Sequence, residues 1–217
     1  GADTDTTADW VRNDFDGDGL PTMTGTLAPG EAKNTPGYMN ELYVAPPEVC
    51  GDPATFIHDI QGSGSASPIV GTELSIEGVV VGDYQPSDSF RGFYLQEEDF
   101  ESDVAPLTSE GVFVFDGGFG VDVALGDIVR VRGTVTEYNG LTEVGSVSTV
   151  LVCSTGASVT PTEVTLPVAS LSDLEAFEGM LVTIPQELTV SENYNLGRYG
   201  ELFLSVNGRQ YQGTHLA

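Results

Sequence analysis

The residues best spaced for chemistry are Asp14-Phe15-Asp16-Gly17-Asp18-Gly19-Leu20. Acids at the first, third and fifth places can turn oxygens inward, Gly19 at the sixth permits a sharp turn, and Leu20 at the seventh offers a backbone carbonyl, which is how a calcium loop opens. The twelfth place is Gly25, where a calcium loop of the helix–loop–helix kind needs a bidentate Glu, and no flanking helical period is present, so an EF-hand is excluded. A half-loop that borrows oxygens from Asp9 or Asn13 remains. The expectation is Ca²⁺ on Asp14, Asp16, Asp18 and the Leu20 carbonyl; the competing reading is an acidic turn that holds nothing.

A second acidic run, Gln96-Glu97-Glu98-Asp99-Phe100-Glu101-Ser102-Asp103, places carboxylates at alternate positions. Asp99, Glu101 and Asp103, folded round by a loop, make a second candidate for a hard cation, against a mobile acidic loop as the alternative. His58 and His215 lack a Cys, Ser or second His at a useful spacing, so neither points to zinc or to catalysis. His58 reads as a structural hydrogen-bonding residue. The chain shows no nucleophile–base pair and no complete set of catalytic metal ligands.

For contact with nucleic acid the candidates are Arg130 and Arg132, which alternate with Val129 and Val131 and so share one face of a strand, expected to point outward. Tyr84, Phe90, Arg91, Phe93 and Tyr94 add aromatics on which bases can stack, although alternate aromatics in a barrel are usually core, and Phe93 and Leu95 are assigned to it.

These residues need elements to hold them. Leu74–Val81, Gly92–Gln96, Gly111–Phe115, Asp127–Thr136 and Ser148–Val152 are short, rich in β-branched or aromatic residues and bounded by turn residues. Five strands over roughly eighty residues, with Gly78 and Gly133 inside two of them where a strand must bend, predict an all-β chain built on a five-stranded OB-type barrel. Residues 1–49 read as a loop-rich segment, 50–158 as the barrel, and 159–217 as a linker with a partial second β unit. In that last part Ser172–Gly179 has the grammar of one or two helical turns, Met180–Ile184 and Glu201–Val206 read as strands, and Asn207-Gly208 as a hairpin turn. Leu181, Val182, Ile184, Leu202, Phe203, Leu204 and Val206 then need covering, by the barrel or by the sheet edge of another copy.

Thirty-three acids against 7 bases, a net charge of −26, make the surface strongly repulsive to other polyanions. High salt shortens the Debye length from about 10 Å to about 3 Å at 1 M and screens that repulsion, which fits a secreted protein of a marine or halophilic bacterium. No run reaches the length of a membrane span, and the start carries no leader pattern, so any export signal is expected to have been removed. Cys50 and Cys153 are an even pair flanking the barrel, read as a disulfide, with two buried thiols as the alternative.

The runs CGDPATFIHDIQGSGSASPIVGTELSIEGVVVGDYQ, GFYLQEEDFESDVAPLTSEGVFVFD and SENYNLGRYGELFLSVNGRQY resemble the non-catalytic region of secreted bacterial endonucleases of the ExeM/NucH type. NTPGYMN, residues 34–40, resembles the close of the lamin-tail-type domain that often precedes the OB fold there. The resemblance implies an OB domain ahead of a Mg²⁺- or Mn²⁺-dependent catalytic domain that would lie beyond Ala217. It thus implies nuclease biology for a parent protein and binding or presentation of extracellular DNA for this piece, inactive alone. The expectation from another class is an extracellular structural protein that assembles through sheet edges or calcium-bridged acidic surfaces.

Overall fold

The structure, a computed structural model, describes residues 47–103 and 105–210. The chain divides at Pro47, and the unit that follows, from Glu48, is the one described here. The calcium half-loop at Asp14, Asp16, Asp18 and Leu20, the lamin-tail-like stretch and His215 lie outside the described residues.

A short helix, α1 (Ile57–Gln61), leads into β1 (Glu73–Tyr84), β2 (Gly92–Gln96), β3 (Gly111–Val114), β4 (Ile128–Tyr138) and β5 (Leu141–Ser154). These five close into a barrel in the order β1-β2-β3-β5-β4, all neighbours antiparallel except β3 with β5, which is the OB-type arrangement the strand pattern predicts. Alternation sorts the residues: Val129, Val131 and Val135 are fully buried on the inner face of β4, as are Phe93 and Leu95 on β2. Ile57 and Ile60 of α1, both at 0 % exposure, join the same core and stop one end of the barrel.

Gly78 is where β1 must serve two partners. Residues 73–79 pair with β4 and 79–84 with β2, and a Cβ on Gly78 would stand 2.8 Å from the Gln96 carbonyl oxygen. Only a residue without a side chain lets the strand fold over there. The β4–β5 connection is Asn139-Gly140, both at positive φ (54° and 83°), the pattern of a type I′ hairpin turn. The strand reading Ser148–Val152 captured only the later part of β5, because Gly145 and the positive φ of Ser146 (47°) interrupt its period. Cys50 and Cys153 form the disulfide, closing 103 residues of chain across the barrel wall.

Beyond the barrel stand two small ladders, β6 (Thr162–Glu163) with β7 (Val182–Thr183), and β8 (Thr189–Glu192) with β9 (Phe203–Ser205), together with a 3₁₀ helix (Leu171–Phe177) and α2 (Leu196–Tyr199). Ser170 caps the 3₁₀ helix and Asp173 returns the bond to the Ser170 N–H. Asn207-Gly208 does take positive φ, yet no strand follows it within the described residues; the partner of β9 is β8. Residues 178–181 of the segment form a close joint with the barrel. The Leu181 N–H donates to Gln96 Oε1 (2.8 Å), the Ser109 hydroxyl to the Glu178 carbonyl (2.6 Å), and Gly179 lies so close to Gly111 that a Cβ on Gly111 would stand 2.4 Å from its backbone.

Candidate functional site

The two arginines of β4 share a face, as their spacing requires, but that face is not open. Arg130 is 3 % exposed: its Nε donates to Glu48 (2.6 Å), and its Nη atoms to Glu77 (3.2 Å) and to the carbonyls of Asp52 and Pro53. Arg132 pairs with Glu73 (2.9 Å) and Glu48 (3.1 Å). The outward basic surface is therefore corrected. Residues 48–53, fastened by the disulfide, lie over the strand, and a buried guanidinium must be paired where it sits. Burial alone would raise the Glu48 carboxyl, but the bonds from Arg130, Ser75 and Arg132 outweigh it and hold it below its ordinary value.

The second acidic run is not wrapped round one cation either. Asp99 accepts from the N–H and hydroxyl of Thr160 (2.9 and 2.6 Å), and Asp103 accepts from the Ala105 N–H and the Thr108 hydroxyl. Glu101 turns toward Glu98 instead, and burial followed by that neighbour pushes it up to about 7. The three carboxylates engage three different sets of partners, so that expectation is corrected too.

The aromatics do gather. Phe90, Tyr84, Tyr94 and Phe113 form a continuous row across the β1–β2–β3 face, with ring centroids 5.2, 6.0 and 4.9 Å apart, distances at which rings attract beyond their buried area. Phe113 is buried at one end, while Phe90 is 63 % and Tyr84 41 % exposed at the other. Arg91, at positive φ (59°), turns over the Phe115 ring with its guanidinium carbon 5.8 Å from the centroid, and donates to the Gly117 carbonyl. A cleft of about 400 Å³ opens beside the row, lined by Val81, Gly82, Tyr84, Tyr94 and residues 179–182. Burial, then the charges of Tyr84 and Glu178, raise the Tyr94 phenol, which stays a neutral donor.

A third grouping was not read from the sequence. His58 of α1, Glu97 just after β2 and Glu110 just before β3 bring their ligand atoms within 4.8 Å of one another. His58 Nδ1 stands 2.7 Å from Glu97 Oε2 and 3.3 Å from Glu110 Oε2. The other oxygen of each carboxylate is held from behind: Glu97 Oε1 accepts from the Ile57 N–H, and Glu110 Oε1 from the Ser102 hydroxyl (2.9 Å) and the Asp103 N–H (3.2 Å). Burial, and then the bond to Glu110, push Glu97 up to about 8 against the pull of His58. Burial would lower His58, yet the bond and charge of Glu97, then Glu110, leave it raised. The groups are 39 and 52 residues apart in the chain, so spacing carries no trace of the cluster. The reading of His58 as a hydrogen-bonding residue holds, but its partners were invisible.

No family model, curated protein or solved structure matches the chain.

Proposed function

We propose that this chain is a non-catalytic OB-type module that binds and presents single-stranded nucleic acid, working within a secreted, divalent-cation-dependent endonuclease. The row Phe90–Tyr84–Tyr94 carries the reading. It runs from the end of β1 onto β2 and meets Phe113 of β3, on the side where OB barrels take oligonucleotides, and its exposed end is large enough for bases to stack. Arg91, whose backbone N–H donates to the Tyr84 carbonyl (2.9 Å), is the cation nearest it in the chain and holds its guanidinium over Phe115. The disulfide suits an oxidising compartment, and no helix of the described residues is long and apolar enough to cross a membrane; both agree with secretion. The resemblance in sequence supplies the nuclease context and Mg²⁺ or Mn²⁺ as the ions of the catalytic partner.

With Arg130 buried and the partly exposed Arg132 paired to Glu73 and Glu48, stacking dominates and phosphate contacts are few. The binding isotherm of a fluorescent oligothymidine in low salt should respond weakly to added salt, with a slope of about 1 or less. Tyr84→Ala/Phe90→Ala should weaken it at least about tenfold, the loss of one or more stacked bases. Absence of binding at low salt, with Ca²⁺ present, refutes the reading.

A second reading is favoured by one observation: Val190, Leu202, Phe203 and Leu204 stand 45 to 55 % exposed on and beside the β8–β9 ladder. A pairing of this edge with another copy would make an extracellular structural assembly. Size-exclusion chromatography of the full chain and of one ending at Glu187, which keeps the joint at Gly179, separates the two. Assembly lost only in the shortened chain supports edge pairing, and a monomer in both removes it.

A further inference from the structure

We propose that His58 Nδ1, Glu97 Oε2 and Glu110 Oε2 together bind a divalent cation of the zinc or manganese class, which fastens α1 to the ends of β2 and β3. The site lies at the end of β2 away from Tyr84 and Arg91, so it stands apart from the aromatic face.

Separation is the first argument. Two adjacent ligands each about 2.1 Å from a metal stand about 3 Å apart in octahedral geometry and slightly farther in tetrahedral. The His58 nitrogen lies 2.7 and 3.3 Å from the two carboxylate oxygens, which brackets that value without rearrangement of the backbone.

Orientation is the second. In each carboxylate one oxygen is engaged by donors behind it, the Ile57 N–H for Glu97 and the Ser102 hydroxyl with the Asp103 N–H for Glu110. The remaining oxygens converge on the same imidazole nitrogen. Metal-binding carboxylates are held in this way by outer partners that fix which oxygen faces the ion.

Charge is the third. Glu97 and Glu110 are 2 % and 6 % exposed, so two carboxylates sit buried beside one imidazole. A divalent ion on two carboxylates and a neutral imidazole leaves no net charge. The donor set then narrows the ion. One imidazole nitrogen with two oxygens suits Zn²⁺ and, more weakly, Mn²⁺, whereas Ca²⁺ asks for six or more oxygens.

The test uses the full chain after EDTA and dialysis, with Zn²⁺, Mn²⁺, Ca²⁺ and Mg²⁺ added singly and followed by calorimetric titration and thermal unfolding. Zn²⁺ should bind with one site lost in Glu110→Gln, a fall in affinity of more than about 100-fold, and Ser102→Ala should weaken it about tenfold, the usual size of an outer-partner loss. Ca²⁺ and Mg²⁺ should leave this site empty. Because a variant here can unfold, the unaltered chain is also loaded with Co²⁺. A strongly shifted imidazole N–H proton in its NMR spectrum can come only from His58 or His215, and it must survive in His215→Ala. Equal Zn²⁺ binding by Glu110→Gln, or no shifted signal in His215→Ala, overturns the proposal. Oligothymidine binding measured with Ca²⁺ present and no Zn²⁺ or Mn²⁺ added is independent of the result, so the two readings fail separately.

Discussion

The barrel and the segment that follows it are built from similar apolar strand sequences, yet they bury them very differently. Phe93 on β2 is fully buried; Phe203 on β9 is 55 % exposed. From residue 165 to residue 210 no side chain is buried. The difference lies in closure. Each barrel strand has a neighbour on both sides and a shared interior, whereas among the described residues β6–β7 and β8–β9 are separate two-stranded ladders, a form only marginally stable by itself. Propensity makes strands in both places, but only the closed sheet makes a core.

This contrast can be broken experimentally, beginning where the effect is largest. Replacing both cysteines by Ala should destabilise the barrel by about 4.7 kcal/mol in the chain-entropy account of a loop near a hundred residues, read from urea unfolding. Phe93→Ala should follow at about 3 to 5 kcal/mol, the range for an aromatic removed from a packed interior. Gly111→Ala should cost about 1 to 3 kcal/mol through overpacking, since its Cβ would meet the Gly179 backbone at 2.4 Å. Its signature is faster hydrogen exchange at the Leu181 amide, with the β4 amides unchanged.

pH gives a smaller effect of known sign. Glu97 and Glu101 are pushed to about 8 and about 7, above the ordinary carboxyl value, so the folded state binds their protons more tightly than the unfolded chain does. The stability they contribute is complete below about pH 4.5 and is lost as pH rises through 7 and 8. In EDTA the melting temperature should fall between pH 6 and pH 9, and Glu101→Gln should flatten the lower part of that fall. Smallest of all, Phe203→Ala should change stability by less than about 0.5 kcal/mol, as surface substitutions do. A loss comparable to that of Phe93→Ala would mean that another copy covers β9 in solution, and the contrast would then belong to the isolated chain alone.

What was legible in the sequence follows the same division between local and distant causes. Alternation and the bending glycines identify the barrel, and the cysteine pair fits its closure, because each signal sits within a few residues of the element it shapes. The helix α1 has only five residues, too few to show a period. The faces of Arg130 and Arg132 were assigned to one side correctly, but alternation says nothing of the arm 48–53 that comes to lie over them. Asp99, Glu101 and Asp103 have the spacing of a cation loop, and each instead finds a neighbour that the spacing does not contain: Thr160, Glu98 and Thr108. The His58 cluster is the far case, assembled wholly by the closing of the barrel.

The link between Cys50 and Cys153 also sets a timetable for biogenesis. A chain emerging from its N-terminus presents Cys50 first, and 103 further residues must follow before its partner exists. Through that interval the Cys50 thiol waits for Cys153, and the arm carrying Glu48 cannot yet settle over Arg130. The order of emergence thus makes the last residues of β5 the step that commits the first residues of the domain.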